Sequence, residues 1–196
     1  METQIKTANG IFRMPLSSVH FDKRRIFING EIAMQTACDF ADKVMFLNDV
    51  SNEPIDVFIT SYGGEVQAGL LMYDIIQSSP APIRMYCRGV AYSMAALLFA
   101  SGKHGRYILP NSKLMLHEPL INNGVQGSAT SIKTISDGIM EIRSKLNGIL
   151  ALHTGKSLSE IEEVTCRDHF FTAEESIAFG LADKIVNLSD ILGVKC

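Results

Sequence analysis

The chain has 196 residues, 46% of them hydrophobic and 20% charged, with a net charge of −3. That length suits one substantial domain and is short for two. The weakly acidic balance, without any basic run, argues against nucleic acid as a partner.

The most apolar window, Ala91 to Ala100, is about ten residues long where roughly 20 are needed to cross a bilayer. No membrane association is therefore expected. Met1 to Gly10 is polar and lacks the apolar centre of a secretory signal. Cys38, Cys87, Cys166 and Cys196 are widely scattered, which suits neither a disulfide framework nor a zinc site. Reduced thiols in a cytoplasmic protein are the expected state. The histidines are equally dispersed, so neither a metal nor a cofactor is expected.

Short β-rich runs alternate with helical patterns, which predicts a layered α/β fold. Arg25 to Asn29 reads as a strand closed by Gly30. A helix over Ile32 to Asn48 follows, with Ala37, Phe40, Ala41, Val44 and Leu47 on one face. Ile55 to Thr60 is the next strand, and the turn Ser61-Tyr62-Gly63-Gly64 leads into a helix from Glu65 to Ser78. Pro80 and Pro82 end that helix, because proline excludes its predecessor from helical geometry. A third strand runs from Ile83 to Arg88, followed by Gly89 and a short helix over Ser93 to Ala100. Arg106 to Leu109 and Lys113 to Leu116 make two more strands.

Asn122 to Gly127 reads as a glycine-bearing loop before the longest helical pattern, Ser128 to His153. Its stripe of Ile132, Ile135, Ile139, Ile142, Leu146 and Ile149 steps by three and four, the spacing of a helix–helix seam. Spacing alone leaves open whether the seam lies within one chain or between subunits. Ser157 with Glu160, and Thr172 with Glu175, match capping boxes. Gly180 is placed to stop the last helix at Phe179, and Lys184 to Val186 forms a final short strand.

Ser93 stands between a strand and a helix, where backbone amides and the helix dipole favour negative charge. It is either a nucleophile, with the Met94 amide ready to bind an oxyanion, or only a helix cap. Its flanks, Ala91 and Ala95, are not the glycines of a Gly-x-Ser-x-Gly elbow. Gly63-Gly64 could bring a second oxyanion donor, the Gly64 amide, close to a substrate, or could be a plain tight turn. His117 at a strand end could act as a base, with His153 and His169 as alternatives. Asp168 could orient an imidazole or could pair with Arg167. Gly155-Lys156-Ser157 resembles the end of a phosphate loop, but Leu150 stands where that motif needs glycine, so no nucleotide site is expected.

Taken together, these stretches have a specific order. From about Ser18 to Val186 the chain resembles the proteolytic subunit of the Clp protease family. The resemblance rests on Arg25-Ile26-Phe27, Gly63-Gly64-Glu65-Val66, Gly89 to Ala96, Leu109-Pro110-Asn111-Ser112 and Met115-Leu116-His117-Glu118-Pro119. It continues through Ala151-Leu152-His153-Thr154-Gly155, Arg167-Asp168-His169-Phe170, Ala173-Glu174-Glu175 and Gly180-Leu181-Ala182-Asp183.

The resemblance implies an α/β spiral of ββα units, shared with crotonase-like proteins, with a protruding handle helix. It implies residues 1–17 as an N-terminal axial segment and 18–196 as one catalytic domain, with the handle over approximately 118–153. It assigns Ser93 as nucleophile, His117 as general base, Asp168 as orienting acid, and the amides of Gly64 and Met94 as oxyanion donors. Substrate would pair with Gly63, Gly64 and the loop after Pro119. Arg167 and the stripe of Ile132, Ile135, Ile139 and Ile142 would serve oligomer contacts. Stacked heptameric rings, polypeptide substrates, an AAA+ unfoldase and a second Clp-type paralogue are the implied partners.

Three positions depart from the family pattern. Tyr62 replaces a proline, Tyr92 a small residue, and Glu118 a glutamine beside the histidine; the segment before Ser18 is also short. Two other readings use the same fold: a non-catalytic or regulatory ring paralogue, and a crotonase-like acyl-CoA enzyme without a serine nucleophile.

Overall fold

In the computed structural model, residues 1–7, 10–121 and 124–193 are described. Asn122 and Asn123 of the expected glycine loop, and Cys196, lie outside them.

The chain opens with a hairpin, β1 (Glu2–Thr7) antiparallel to β2 (Gly10–Pro15), then a short helix α1 (Leu16–Asp22). Neither has a strong sequence signal, because none of the side chains of α1 is fully buried. The chain then builds α2 (Met34–Val50) between β3 (Arg25–Asn29) and β4 (Ile55–Ser61), and α3 (Val66–Ser78) between β4 and β5 (Ile83–Tyr92). Strands β3, β4 and β5 pair in parallel. All five residues expected on the inner face of α2 are buried. The α2 pattern starts two residues later than its periodicity predicts, because Ile32 is drawn into a parallel bridge with Gly64.

The sheet forks at β5. Met85 to Cys87 pairs with β6 (Arg106–Ile108), whereas Val90 to Tyr92 pairs with β7 (Lys113–Leu116). Gly89 therefore bends the strand rather than ending it. Its φ of 86° lies in the left-handed region that glycine tolerates. Ser112 holds the fork, accepting from the Gly89 amide at 2.8 Å and donating to Cys87 O at 3.2 Å. One branch continues from β6 to β9 (Lys184–Ile185), the other from β7 to the antiparallel β8 (His169–Phe171). The result is a mixed α/β fold around a mostly parallel sheet, with eight helices among the described residues.

Helix α4 (Met94–Ala100) is buried along its whole length, which is why its sequence is apolar on every side. Helix α5 (Ala129–Thr154) ends at Gly155 in the left-handed conformation, so the glycine of the phosphate-loop decoy is a helix stop. Leu146 and Leu150 of α5 are buried and Ile142 and Ile149 are half-buried, whereas Ile132 and Ile135 are 44% and 41% exposed. The stripe is thus core at one end and uncovered at the other. Helices α6 (Leu158–Thr165) and α7 (Ala173–Phe179) carry both expected capping boxes, and Gly180 closes α7 at φ 94°. Helix α8 (Leu188–Leu192) is the last element among the described residues.

Across β3, β4, β5 and β6, Phe27, Phe58, Tyr86 and Tyr107 occupy one register row and stack at centroid distances of 4.8 to 5.1 Å. Arg88 lies over the first two rings. Among the described residues, no helix is long and apolar enough to cross a membrane.

Candidate active site

Strand pairing brings three distant segments to one point. Tyr92 of β5 pairs with Met115 of β7, and Leu116 pairs with His169 of β8. One step beyond these pairs, His117 and Asp168 face each other across the last rung, and Ser93 follows directly on Tyr92. The Ser93 amide donates to Met115 O at 2.8 Å, fixing the turn to the neighbouring strand.

Ser93 has φ 55° and ψ −124°, a conformation that non-glycine residues rarely hold. It makes no side-chain cap to α4. Its hydroxyl instead meets the His117 imidazole, with Oγ 2.7 Å from Nε2. The other candidate histidines are engaged elsewhere: His153 Nε2 lies 3.2 Å from the Tyr73 hydroxyl, and His169 packs on Phe171.

On the far side of the imidazole, His117 Nδ1 is 3.9 Å from Asp168 Oδ1, beyond hydrogen-bond range. That nitrogen is buried and has no hydrogen-bond partner among the described residues. The Asp168 side chain is 64% exposed, and among the described residues no ion pair joins it to Arg167. Glu118 turns away from the histidine and pairs with Arg143 of α5 at 3.0 Å, so its charge is met by a guanidinium.

The Gly63-Gly64 turn lies against the same point. A β-carbon on Gly63 would stand 2.8 Å from Tyr92 O and 2.9 Å from Ser93 Cβ. One on Gly64 would overlap Ile32 O. Only glycine permits this approach. Ile32 N donates to Gly63 O and Glu65 N to Ile32 O, a bridge that uses the groups flanking the Gly64 amide and leaves that amide outside it. Met94 opens α4, and the first amide of a helix has no carbonyl partner inside it.

A cavity of about 40 Å3 opens beside Ser93 and His117, walled by Val66, Met94, Leu97 and Pro119 with Leu146, Asn147 and Leu150 of α5. The sequence reading included Pro119 but missed Asn147, which lies one position off the apolar stripe of α5 and carries no signal of its own. On the other side of Ser93 an aromatic row runs from Tyr62 through Tyr92 to Phe170, edge to face at 5.5 Å for each pair. The two tyrosines that depart from the family pattern thus pack against each other. Tyr62 is 74% exposed at the end of the row.

A sharp strand-to-helix turn presenting a serine hydroxyl to an imidazole is an arrangement suited to acyl transfer. The family model for Clp protease matches residues 13–189, nearly the whole chain. The chain belongs to the Clp protease family, and is a peptidase of the Clp type, of the serine class. The match begins at Arg13, in β2.

Proposed function

We propose that the chain is a serine endopeptidase subunit in which Ser93 is the nucleophile, His117 the general base and Asp168 the orienting acid. The observation that carries this reading is the 2.7 Å contact between Ser93 Oγ and His117 Nε2, made by a serine held at positive φ. Oγ attacks the scissile carbonyl as its proton passes to Nε2. The carbonyl oxygen becomes an oxyanion received by the amides of Gly64 and Met94. The imidazolium then protonates the leaving amine, giving an acyl-enzyme that water hydrolyses by the reverse proton path. Every step uses groups of the chain itself and needs no cofactor.

An extended polypeptide pairs its backbone with Gly63-Gly64 and the segment after Pro119, and seats the side chain preceding the scissile bond in the cavity. The 3.9 Å separation at Asp168 supports a resting state. A shift of roughly 1 Å brings it within hydrogen-bond range. We place the source of that shift in assembly: stacked heptameric rings, joined through the handle (approximately 118–153) by Ile132, Ile135, Ile139 and Ile142, with Arg167 beside Asp168. Residues 1–17 form the axial segment, residues 18–196 the catalytic domain, and an AAA+ unfoldase feeds the enclosed chamber in the cytoplasm. A second Clp-type paralogue as partner ring is the remaining assembly.

The open Asp168 gap also favours one other reading, a regulatory ring component. Fluorophosphonate labelling and turnover of short fluorogenic peptides by the purified oligomer separate the two. Labelling and turnover, both lost in Ser93→Ala, are expected. An assembled oligomer that neither labels nor cleaves overturns the peptidase reading.

A further inference from the structure

The aromatic row beside Ser93 serves neither the core nor the proton path. Tyr92 of β5, Met115 of β7 and Phe170 of β8 are register partners, and paired residues point to the same face of a sheet. The opposite face carries Ala91, Leu114 and Phe171, all buried. The core lies on that other face. On this one, Phe170 is 52% exposed, and Tyr62, packed on Tyr92 from the Gly63-Gly64 turn, is 74% exposed.

Tyr92 is half-buried, and the rings of Tyr62 and Phe170 stand at 74° and 82° to it. An incoming ring can extend such a row by the same edge-to-face contact. Scattered exposed apolar side chains are ordinary, whereas contiguous ones mark interaction sites.

What this row would meet follows from its place beside the nucleophile. Gly64 and Val66 wall the cavity assigned above to the side chain before the scissile bond. In the other direction along the same edge, Gly63 lies against the nucleophile's turn, where an added β-carbon would stand 2.9 Å from Ser93 Cβ. Tyr62 comes next. An extended substrate paired with this edge advances roughly 3.3 Å per residue. With its acyl side at Gly64 and Val66, its leaving side passes Gly63 and reaches Tyr62. Both tyrosines stand where the family pattern has a proline and a small residue, so the row is a property of this chain.

We propose that Tyr62, with Tyr92 and Phe170, is a specificity-determining element that selects an aromatic side chain at the residue directly after the scissile bond. The proposal rests on the peptidase reading above. A phenylalanine there buries its ring on the row, and a glycine gains nothing from it. The selection acts on the leaving half of the substrate, separately from the cavity, which holds the half retained as acyl-enzyme.

The test uses the full chain and internally quenched peptides identical except for phenylalanine, leucine or glycine directly after the scissile bond. They are read as kcat/KM, with the cleaved bond identified by mass, and again as competitors that slow Ser93 labelling by a fluorophosphonate. Phenylalanine is expected to exceed glycine by roughly fivefold or more, with leucine between. Tyr62→Ala, a change at an exposed side chain, should lower the phenylalanine-to-glycine ratio roughly three- to tenfold, the worth of one aromatic contact. Tyr62→Phe keeps the ring and should keep the ratio, and in both variants the preference at the residue before the scissile bond should stay as in the parent. Equal values for the three peptides in the parent, or a ratio unmoved in Tyr62→Ala, overturns the proposal. So does an equal loss for all peptides with a lower mass in native mass spectrometry, which would make the row a contact between copies of the chain. Absence of both turnover and Ser93 labelling overturns the peptidase reading, and this assignment with it.

Discussion

At Ser93 the backbone takes up a conformation, φ 55°, that a valine or isoleucine would resist strongly. The surroundings fix it: Met115 O accepts from its amide, and the Gly63 Cα packs against the turn from the other side. Gly63→Ala should therefore strike both stability and activity. The added carbon meets Tyr92 O at 2.8 Å at a residue whose own φ is 97°, and the expected loss is on the order of 1–3 kcal/mol, measured by urea unfolding. Turnover should fall further than stability accounts for, because the displaced atoms belong to the nucleophile's own turn. A variant as stable and active as the parent would show that the close approach is unnecessary. This level was partly legible in sequence. Glycines 63 and 64, Ser93, His117 and Asp168 stand out as residue types at element ends, but each has a commoner structural role. Nothing local distinguishes His117 from His153 or His169; strand register does.

The starts of α6 and α7, and the end of α7, were readable to within a residue, because their signals are chemical and local. Ser157 Oγ accepts from the Glu160 amide, while the Glu160 carboxylate accepts from the Ser157 amide at 2.9 Å. Ser157→Ala should destabilise the protein by about 1 kcal/mol, read as a shift of the urea midpoint. These contacts also hold the Glu160 carboxyl at about 2, below its ordinary 4.5, chiefly through the Ser157 backbone amide and then its hydroxyl. A depressed carboxyl stabilises the fold above its unfolded value and loses that effect as pH falls through the folded one. Glu160→Gln should thus be less stable than the parent at neutral pH. The difference should shrink between about 4.5 and about 2 and vanish below, checked by thermal melts across that range. A difference independent of pH would rule out the carboxylate as its cause. Less legible were β8, with three residues, and the C-terminal half of β5. A strand bent at Gly89 shows no continuous alternation, and so short a strand owes its pairing to its neighbour.

Over the whole molecule, the distribution of exposure along α5 is what a single chain leaves unexplained. Its C-terminal half seals the cavity with Leu146 and Leu150, whereas Ile132 and Ile135 lie open to water. If this half mates with a second copy, Ile135→Glu should break the association between rings, seen as a halved mass in native mass spectrometry. Peptide turnover should fall with it, since the Asp168 contact is expected to close only in the assembly. Arg167→Ala should lower kcat more than it raises KM, for the same reason. An Ile135→Glu variant with full mass and full activity would remove the handle from the assembly.

The sequence by itself determined the elements whose signals are local: apolar periodicity for α2 and α5, caps for α6 and α7, β-rich runs for β3 and β4, and the order of residues that carries the family resemblance. Tertiary structure alone decided the fork of the sheet, the choice of one imidazole among several, the turning of Glu118 toward Arg143, and the burial of Asn147 beside the nucleophile. Periodicity and capping act within a few residues along the chain. Strand register and the closing of a cavity depend on segments dozens of residues apart, which meet only when the core packs.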